Sequence, residues 1–255
     1  IICKIESALG IENLESILEV SDGVMVARGD LGTEVPSEMV PIYQKQMINA
    51  CRRMGKISIV ATEMLETMMD NIRPKRAETS DIANAVLDGT DAVMLSGETT
   101  IGKHPVETVA AMASICETTE KYASFDYAFD IDTLDNITKS IASNVVISTD
   151  ALGAKLICAA TISGRTARVI SNLKPDAPIL ALCPDEKTGR RLALNWGVYD
   201  KNLPYLPSTD DVLLQSVTKA KEFMKLNKGD FVVITGGFPN TETKRITNLM
   251  KIEEI

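Results

Sequence analysis

No stretch of this chain stays apolar for the roughly 20 residues that spanning a bilayer requires, and its first residues lack the basic patch that opens a secretory leader. Positive charge is in deficit: 27 basic against 35 acidic residues leave a formal net charge of −8. That balance argues against nucleic acid or an anionic membrane as a partner. A phosphorylated ligand must therefore be held by a local basic cluster or by a metal ion. The five cysteines (Cys3, Cys51, Cys116, Cys158 and Cys183) never form a Cys-x-x-Cys pair. Scattered through apolar segments, they read as small buried hydrophobes of a reducing cytoplasm. The only histidine, His104, sits in Gly102-Lys103-His104-Pro105 with no metal-ligating or nucleophilic neighbour in sequence, and reads as a loop residue. Missing too is the glycine fingerprint that a dinucleotide-binding sheet carries after its first strand.

What the chain does have is 45% hydrophobic residues in 255, enough for two sizeable cores. Segments 1–6, 23–28, 57–61 and 92–95 are short, β-branched and apolar on both faces, as buried parallel strands are. Amphipathic stretches at 10–20, 36–54, 80–87 and 105–122 predict helices between them. Strand, loop and helix repeated four times are βα units. Met64, Met68 and Met69, at helical spacing, read as core. Residues 123–136 are acidic and aperiodic and read as a linker, with Asp135 or Asn136 capping a helix through residue 149. Beyond it, strands at 155–161, 178–183 and 230–235, helices near 165–173, 186–195 and 210–226, and a last strand through 247–253 predict a smaller α/β domain.

Polar residues gather at the C-terminal ends of the first four strands: Lys4 and Glu6, then Arg28 to Asp30, then Thr62, then Ser96 and Glu98. A (βα)₈ barrel builds its site on that rim. Four units make half of one, leaving two apolar strand edges that proteins avoid exposing. The expectation is the back half of a longer protein, its other half supplied by residues or a chain not included here.

Chemically, Glu6 and Asp30 offer two carboxylates on one rim, which suits Mg²⁺ or Mn²⁺, an ion that keeps waters and takes substrate oxygens. Lys4 points to the same face and can meet a phosphoryl group. The segment Ala27-Arg28-Gly29-Asp30-Leu31-Gly32 leaves its strand through glycines, and amides exposed there can receive a carboxylate or phosphate. Each feature alone has an ordinary counterpart, such as a surface ion pair or a plain turn. Their convergence on one rim is the argument.

Cys3-Lys4-Ile5-Glu6, Ala27-Arg28-Gly29-Asp30-Leu31-Gly32, Ala61-Thr62-x-Met64-Leu65-Glu66, Arg73-Pro74-x-Arg76-Ala77-Glu78 and Met94-Leu95-Ser96-Gly97-Glu98-Thr99 resemble pyruvate kinase, in sequence and in order. The resemblance covers the whole chain. It implies strands five to eight of the catalytic barrel (residues 1–122), a linker (123–136) and the family's regulatory α/β domain (137–255). It implies phosphoryl transfer from phosphoenolpyruvate to ADP with Mg²⁺ and K⁺, in the cytoplasm, by a homotetramer. Glu6 and Asp30 would hold the divalent ion and Lys4 the transferring phosphoryl group. Ala27 to Asp30 would bind the substrate carboxylate, chiefly through the amides of Gly29 and Asp30. Thr62 would help deliver the proton that makes pyruvate, with Ser96 and Glu98 supporting that path. Arg76 would reach across a subunit interface. The K⁺ ligands, nucleotide-binding arginines and lid lie outside this segment, so the chain alone is expected to lack appreciable turnover. Two alternatives stay open: a metal-dependent enolate lyase or aldolase on a similar barrel, and a non-catalytic module that binds an effector or a partner.

In the second domain, Thr161-Ile162-Ser163-Gly164-Arg165-Thr166 joins a strand to a helix and offers hydroxyls and amides at its N-terminus, the makings of a phosphate nest. Lys187, Arg190, Arg191 and Lys244 could add charge; a capped helix with solvated basic residues is the plain alternative. The resemblance implies a sugar-phosphate or nucleotide effector there, with residues 236–244 closing over it. Trp196 reads as a packing residue or a stacking surface in that pocket.

Overall fold

The computed structural model describes residues 1–126, 131–238 and 246–255. The chain divides into two compact units, Ile1–Ser124 and Phe125–Ile255.

In the first unit, β1 (Ile2–Ile5), β2 (Gly23–Ala27), β3 (Ile57–Ala61) and β4 (Ala92–Met94) lie parallel in sequence order. All five residues of β3 are buried, including its one polar member, Ser58, whose amide donates to Asp91 and whose hydroxyl meets that of Thr90. Helices α1 (Ala8–Glu12), α2 (Leu14–Val20), α3 (Arg28–Glu34), α4 (Val40–Met54), α5 (Arg76–Leu87), α6 (Gly97–Thr100) and α7 (Pro105–Glu120) fill the connections. The single helix predicted over 10–20 is two. Asn13 donates from Nδ2 to the Leu9 carbonyl and interrupts the ladder, the local competition that makes asparagine a poor interior residue. Helix α5 starts at Arg76, ahead of the predicted 80, because the Glu78 carboxylate accepts the Lys75 amide and caps it. Most consequential for the rim is α3, which begins at the residue after β2 where glycines predict only a turn. Leu18, Val24, Val26, Leu31, Met47, Ile48, Met64 and Leu65 are completely buried in one core.

The second unit holds β5 (Leu156–Ala160), β6 (Ile179–Cys183), β7 (Val198–Asn202), β8 (Phe231–Gly236) and β9 (Leu249–Glu254) in the order β7-β6-β5-β8-β9, with only β9 antiparallel. Its helices are α8 (Asn136–Leu152), α9 (Arg165–Asn172), α10 (Glu186–Leu192) and α11 (Thr209–Phe223). Asp135 caps α8, accepting from the amide and hydroxyl of Thr138. Strand residues alternate between two cores: Ile157 and Ala159 pack with Val145, Val146 and Ile170, whereas Leu156 and Cys158 pack with Val212 and Ala220. Helices therefore cover both faces of the sheet. Strand β7 escapes sequence reading because it is an edge, with Tyr199–Asn202 exposed and only Val198 buried.

Within the segment read as a linker, Ile131 is buried in the second unit's core. Phe125 meets Trp196 edge to face at 5.6 Å, and Lys174 Nζ lies 5.3 Å from the Trp196 ring, so this tryptophan packs. All five cysteines are free thiols; burial pushes Cys158 up to about 12 and Cys116 and Cys183 to about 11. Among the described residues no helix is long and apolar enough to cross a membrane.

Candidate active site at the strand ends

Parallel register aligns the ends of β1, β2, β3 and β4, pairing Ile5 with Val26, Ala27 with Ala61 and Ala61 with Met94. Residues just past those positions emerge together. The Lys4 ammonium lies between two carboxylates, paired with Glu6 and at 2.6 Å from Asp30 Oδ2. All three side chains are about half exposed. The hydrogen bond to Asp30, then that to Glu6, raises the Lys4 pKa above its ordinary value; the Lys4 bond holds the Asp30 carboxyl below its own. Glu6 and Asp30 thus share one cation.

The next strand end is strained. Thr62 and Glu63 have φ of +70° and +54°, a region a β-branched residue seldom enters and one that costs on the order of 1–3 kcal/mol. Thr62 Oγ1 accepts the Gly29 amide at 2.9 Å and donates to the Ala61 carbonyl at 2.6 Å. Gly29 and Asp30 occupy the first turn of α3, so their amides belong to a helix start. Glu98, 4% exposed, accepts the Leu65 amide at 3.2 Å and the Ser96 amide at 2.7 Å, tying the end of β4 to the loop after β3.

The other residues singled out in the sequence have different surroundings. Ala27 is fully buried at the start of α3. Arg28 is 6% exposed, its guanidinium bonded to the Thr62 carbonyl at 2.7 Å and to Asp81 at 2.5 Å. Arg76 is exposed at the first position of α5. The His104 carbonyl accepts from Thr108, leaving the imidazole in the loop before α7. Sequence reasoning missed Asp81 and Gln44, the partners of Arg28. A signal existed for the first: Asp81 is half-buried, next to the buried Ile82 and one turn before the buried Ala85 of α5.

Among the described residues no three His, Cys, Asp or Glu side chains cluster as a cage for a metal. Two carboxylates already brought to one cation suit a hard ion that completes its shell with water and substrate oxygens. The donor set fits Mg²⁺ or Mn²⁺ and lacks the nitrogen and sulfur ligands of zinc.

In the second unit, Gly164 (φ +80°) turns the chain from Thr161, Ile162 and an exposed Ser163 into α9. Arg165 lies 3.6 Å from Asp135. Thr166 Oγ1 meets Thr247 Oγ1 at 3.1 Å, turned toward the protein. A crevice beside this loop is lined by Ala160, Thr161, Ile162, Leu182, Tyr205 and Phe238, among others. Lys187, Arg190 and Arg191 are exposed on α10, with Arg190 paired to Glu186. Of the segment expected to close over the loop, 239–245 including Lys244 lies outside the described residues. Asn248 bonds both the amide and the carbonyl of Phe238 beside it.

Comparison with known proteins adds independent findings. The family model "Pyruvate kinase, barrel domain" matches residues 1–109, and "Pyruvate kinase, alpha/beta domain" matches 139–253. The chain is 44% identical to the pyruvate kinase of Clostridium acetobutylicum, over 100% of this chain and 54% of that protein. It is 46% identical to the Geobacillus stearothermophilus enzyme, over 100% of this chain and 44% of that one. A crystal structure of a pyruvate kinase from Cryptosporidium parvum superposes with a TM-score of 0.88 at 38% identity, covering 99% of this chain and 51% of that one. The chain spans about half the length of the curated relatives it matches.

Proposed function

The chain belongs to the pyruvate kinase family, and on that premise we propose that it supplies strands five to eight of the catalytic barrel and the effector domain of an enzyme that transfers phosphate from phosphoenolpyruvate to ADP, giving pyruvate and ATP. The observation that carries this reading is Lys4 held between Glu6 and Asp30, one residue from the Gly29 amide bonded to Thr62. Phosphoryl transfer is mostly positioning and electrostatics, and that cluster provides both.

Glu6 and Asp30 would hold Mg²⁺ or Mn²⁺, which when bound supplies positive charge to the phosphoryl and enolate oxygens. Lys4 offsets charge on the phosphoryl group in flight. The amides of Gly29 and Asp30, at the positive end of α3, take the substrate carboxylate. The Thr62 hydroxyl, turning its proton from the Ala61 carbonyl toward the substrate, hands it to the methylene carbon of enolpyruvate, and solvent restores it. Ser96 and Glu98 support that path by holding the loop. K⁺ and ADP contacts come from outside this chain. In the second unit, the loop from Thr161 to Thr166 binds a sugar-phosphate or nucleotide effector. The assembly is a cytoplasmic homotetramer in which Arg76 reaches a neighbouring subunit.

The test is complementation. The purified chain alone should form no appreciable pyruvate in a coupled assay; adding a polypeptide that supplies the first four βα units should restore it. Full turnover by the chain alone refutes the divided site, and failure of Lys4→Met to abolish complemented activity refutes the assignment of the rim.

A further inference from the structure

Building on the reading of Thr62 as proton donor, we propose that Arg28 is the positioning residue that holds it, oriented in turn by Asp81 on α5. The left-handed φ values of Thr62 and Glu63 must be imposed by their surroundings. Arg28 grips the two carbonyls that define that turn: Nε and Nη2 donate to Thr62 at 3.3 and 2.7 Å, and Nη2 donates to Glu63 at 3.0 Å. Fixing the peptide planes around Thr62 fixes where its Oγ1 points, which is at the Gly29 amide. So buried a guanidinium does its work on the backbone, and substrate charge is left to Lys4 and the α3 amides.

The remaining end of the guanidinium reaches α5 and α4. Nη1 lies 2.5 Å from Asp81 Oδ2 and 3.4 Å from Gln44 Oε1. Gln44 Nε2 donates onward to Asp88 at 3.0 Å, on the residue that ends α5. Three residues before Asp81, the Glu78 carboxylate takes the Thr67 amide at 2.7 Å and the Thr67 hydroxyl at 2.5 Å. Helix α5 therefore holds both ends of the segment from Thr62 to Thr67, one through Arg28 and one directly. A planar fork with donors on three sides can span two carbonyls and a carboxylate; the single ammonium of lysine cannot.

Two measurements test this. In the chain itself, carbon-13 threonine labelling reads the Thr62 Cα and Cβ shifts, which report its backbone conformation. Arg28→Lys and the milder Asp81→Asn should move them toward extended values while the second unit's threonines stay in place. In the complemented enzyme, either change should slow deuterium incorporation into the pyruvate methyl group by roughly tenfold or more, with the KM for phosphoenolpyruvate within about twofold of wild type. On a Thr62→Ala background, Arg28→Lys should add nothing further. Thr62 resonances that stay fixed in both variants overturn the proposal, as does full additivity with Thr62→Ala. Resonances that move while deuteration runs at the wild-type rate uphold the brace and overturn the proton-donor reading of Thr62.

Discussion

Lys4 and Asp30, 26 positions apart in the chain, meet at 2.6 Å because parallel pairing of β1 with β2 sets their strand ends side by side. Each keeps the other charged. Asp30's folded pKa lies below its ordinary 3.8, so its contribution is full above that value and is lost as pH falls through the folded one. Lys4's lies above 10.5, so its contribution is full below that value and is lost as pH rises through the folded one. The difference in Tm between wild type and Asp30→Asn should be small for so exposed a pair, flat between about pH 5 and pH 9, and should close at both extremes. A gap that widens toward acid contradicts the pairing.

Removing either shared carboxylate should also weaken a divalent ion. Titration with Mn²⁺ followed by electron paramagnetic resonance should show binding reduced roughly tenfold or more in Glu6→Gln and in Asp30→Asn, and unchanged in Glu12→Gln, on α1. Equal binding in all three places the ion elsewhere.

Glu98 is a buried brace whose two oxygens both accept amides. Glu98→Gln replaces one acceptor with an NH₂ that faces a donor, at a cost of about 1–3 kcal/mol. Hydrogen exchange at the Leu65 and Ser96 amides should accelerate by about 5- to 150-fold. Protection equal to wild type removes Glu98 from the loop's support.

Leu65 follows the strained turn and is fully buried in the first unit's core. Leu65→Ala should destabilise that unit by about 2–5 kcal/mol. Urea denaturation followed by exchange of β3 amides would show it, with β5 amides unaffected.

At the second site, Ser163→Asp sets a negative charge beside the start of α9 and should abolish sugar-phosphate binding by calorimetry; unchanged affinity refutes the assigned loop. Gly164→Ala tests its geometry separately. At φ +80° a side chain is strained, and an added Cβ would come within 3.1 Å of Leu192. A loss of about 1 kcal/mol or more is expected, read from the thermal unfolding of the second unit through Trp196 fluorescence.

Much of this was legible in the chain by itself. Largely apolar runs announced β1 to β4 as parallel strands; burial holds for the inner β2 and β3, while the edge strands β1 and β4 are only partly buried. A polar residue closing each run announced the rim, because the chain leaves a parallel sheet where its hydrophobic stretch stops. Asp135 foretold the start of α8, since a cap is a local contract between neighbours in sequence. The family, too, could be read from the order of the motifs.

What sequence could not supply depends on residues far apart. Strand β7 exists because β6 offers it a ladder, although its exposed Tyr-Asp-Lys-Asn run carries no burial signal. The left-handed conformation of Thr62 opposes local preference and persists because distant groups grip its carbonyl. Arg28 shows the same division most sharply: its motif marked it as belonging to the rim, and only the packing of α5 against that rim turned its guanidinium to Asp81 and the backbone. Local patterning selects strands, helices and caps through interactions of a few residues. The direction of a buried charge is decided by whichever partner the folded chain brings within hydrogen-bonding reach.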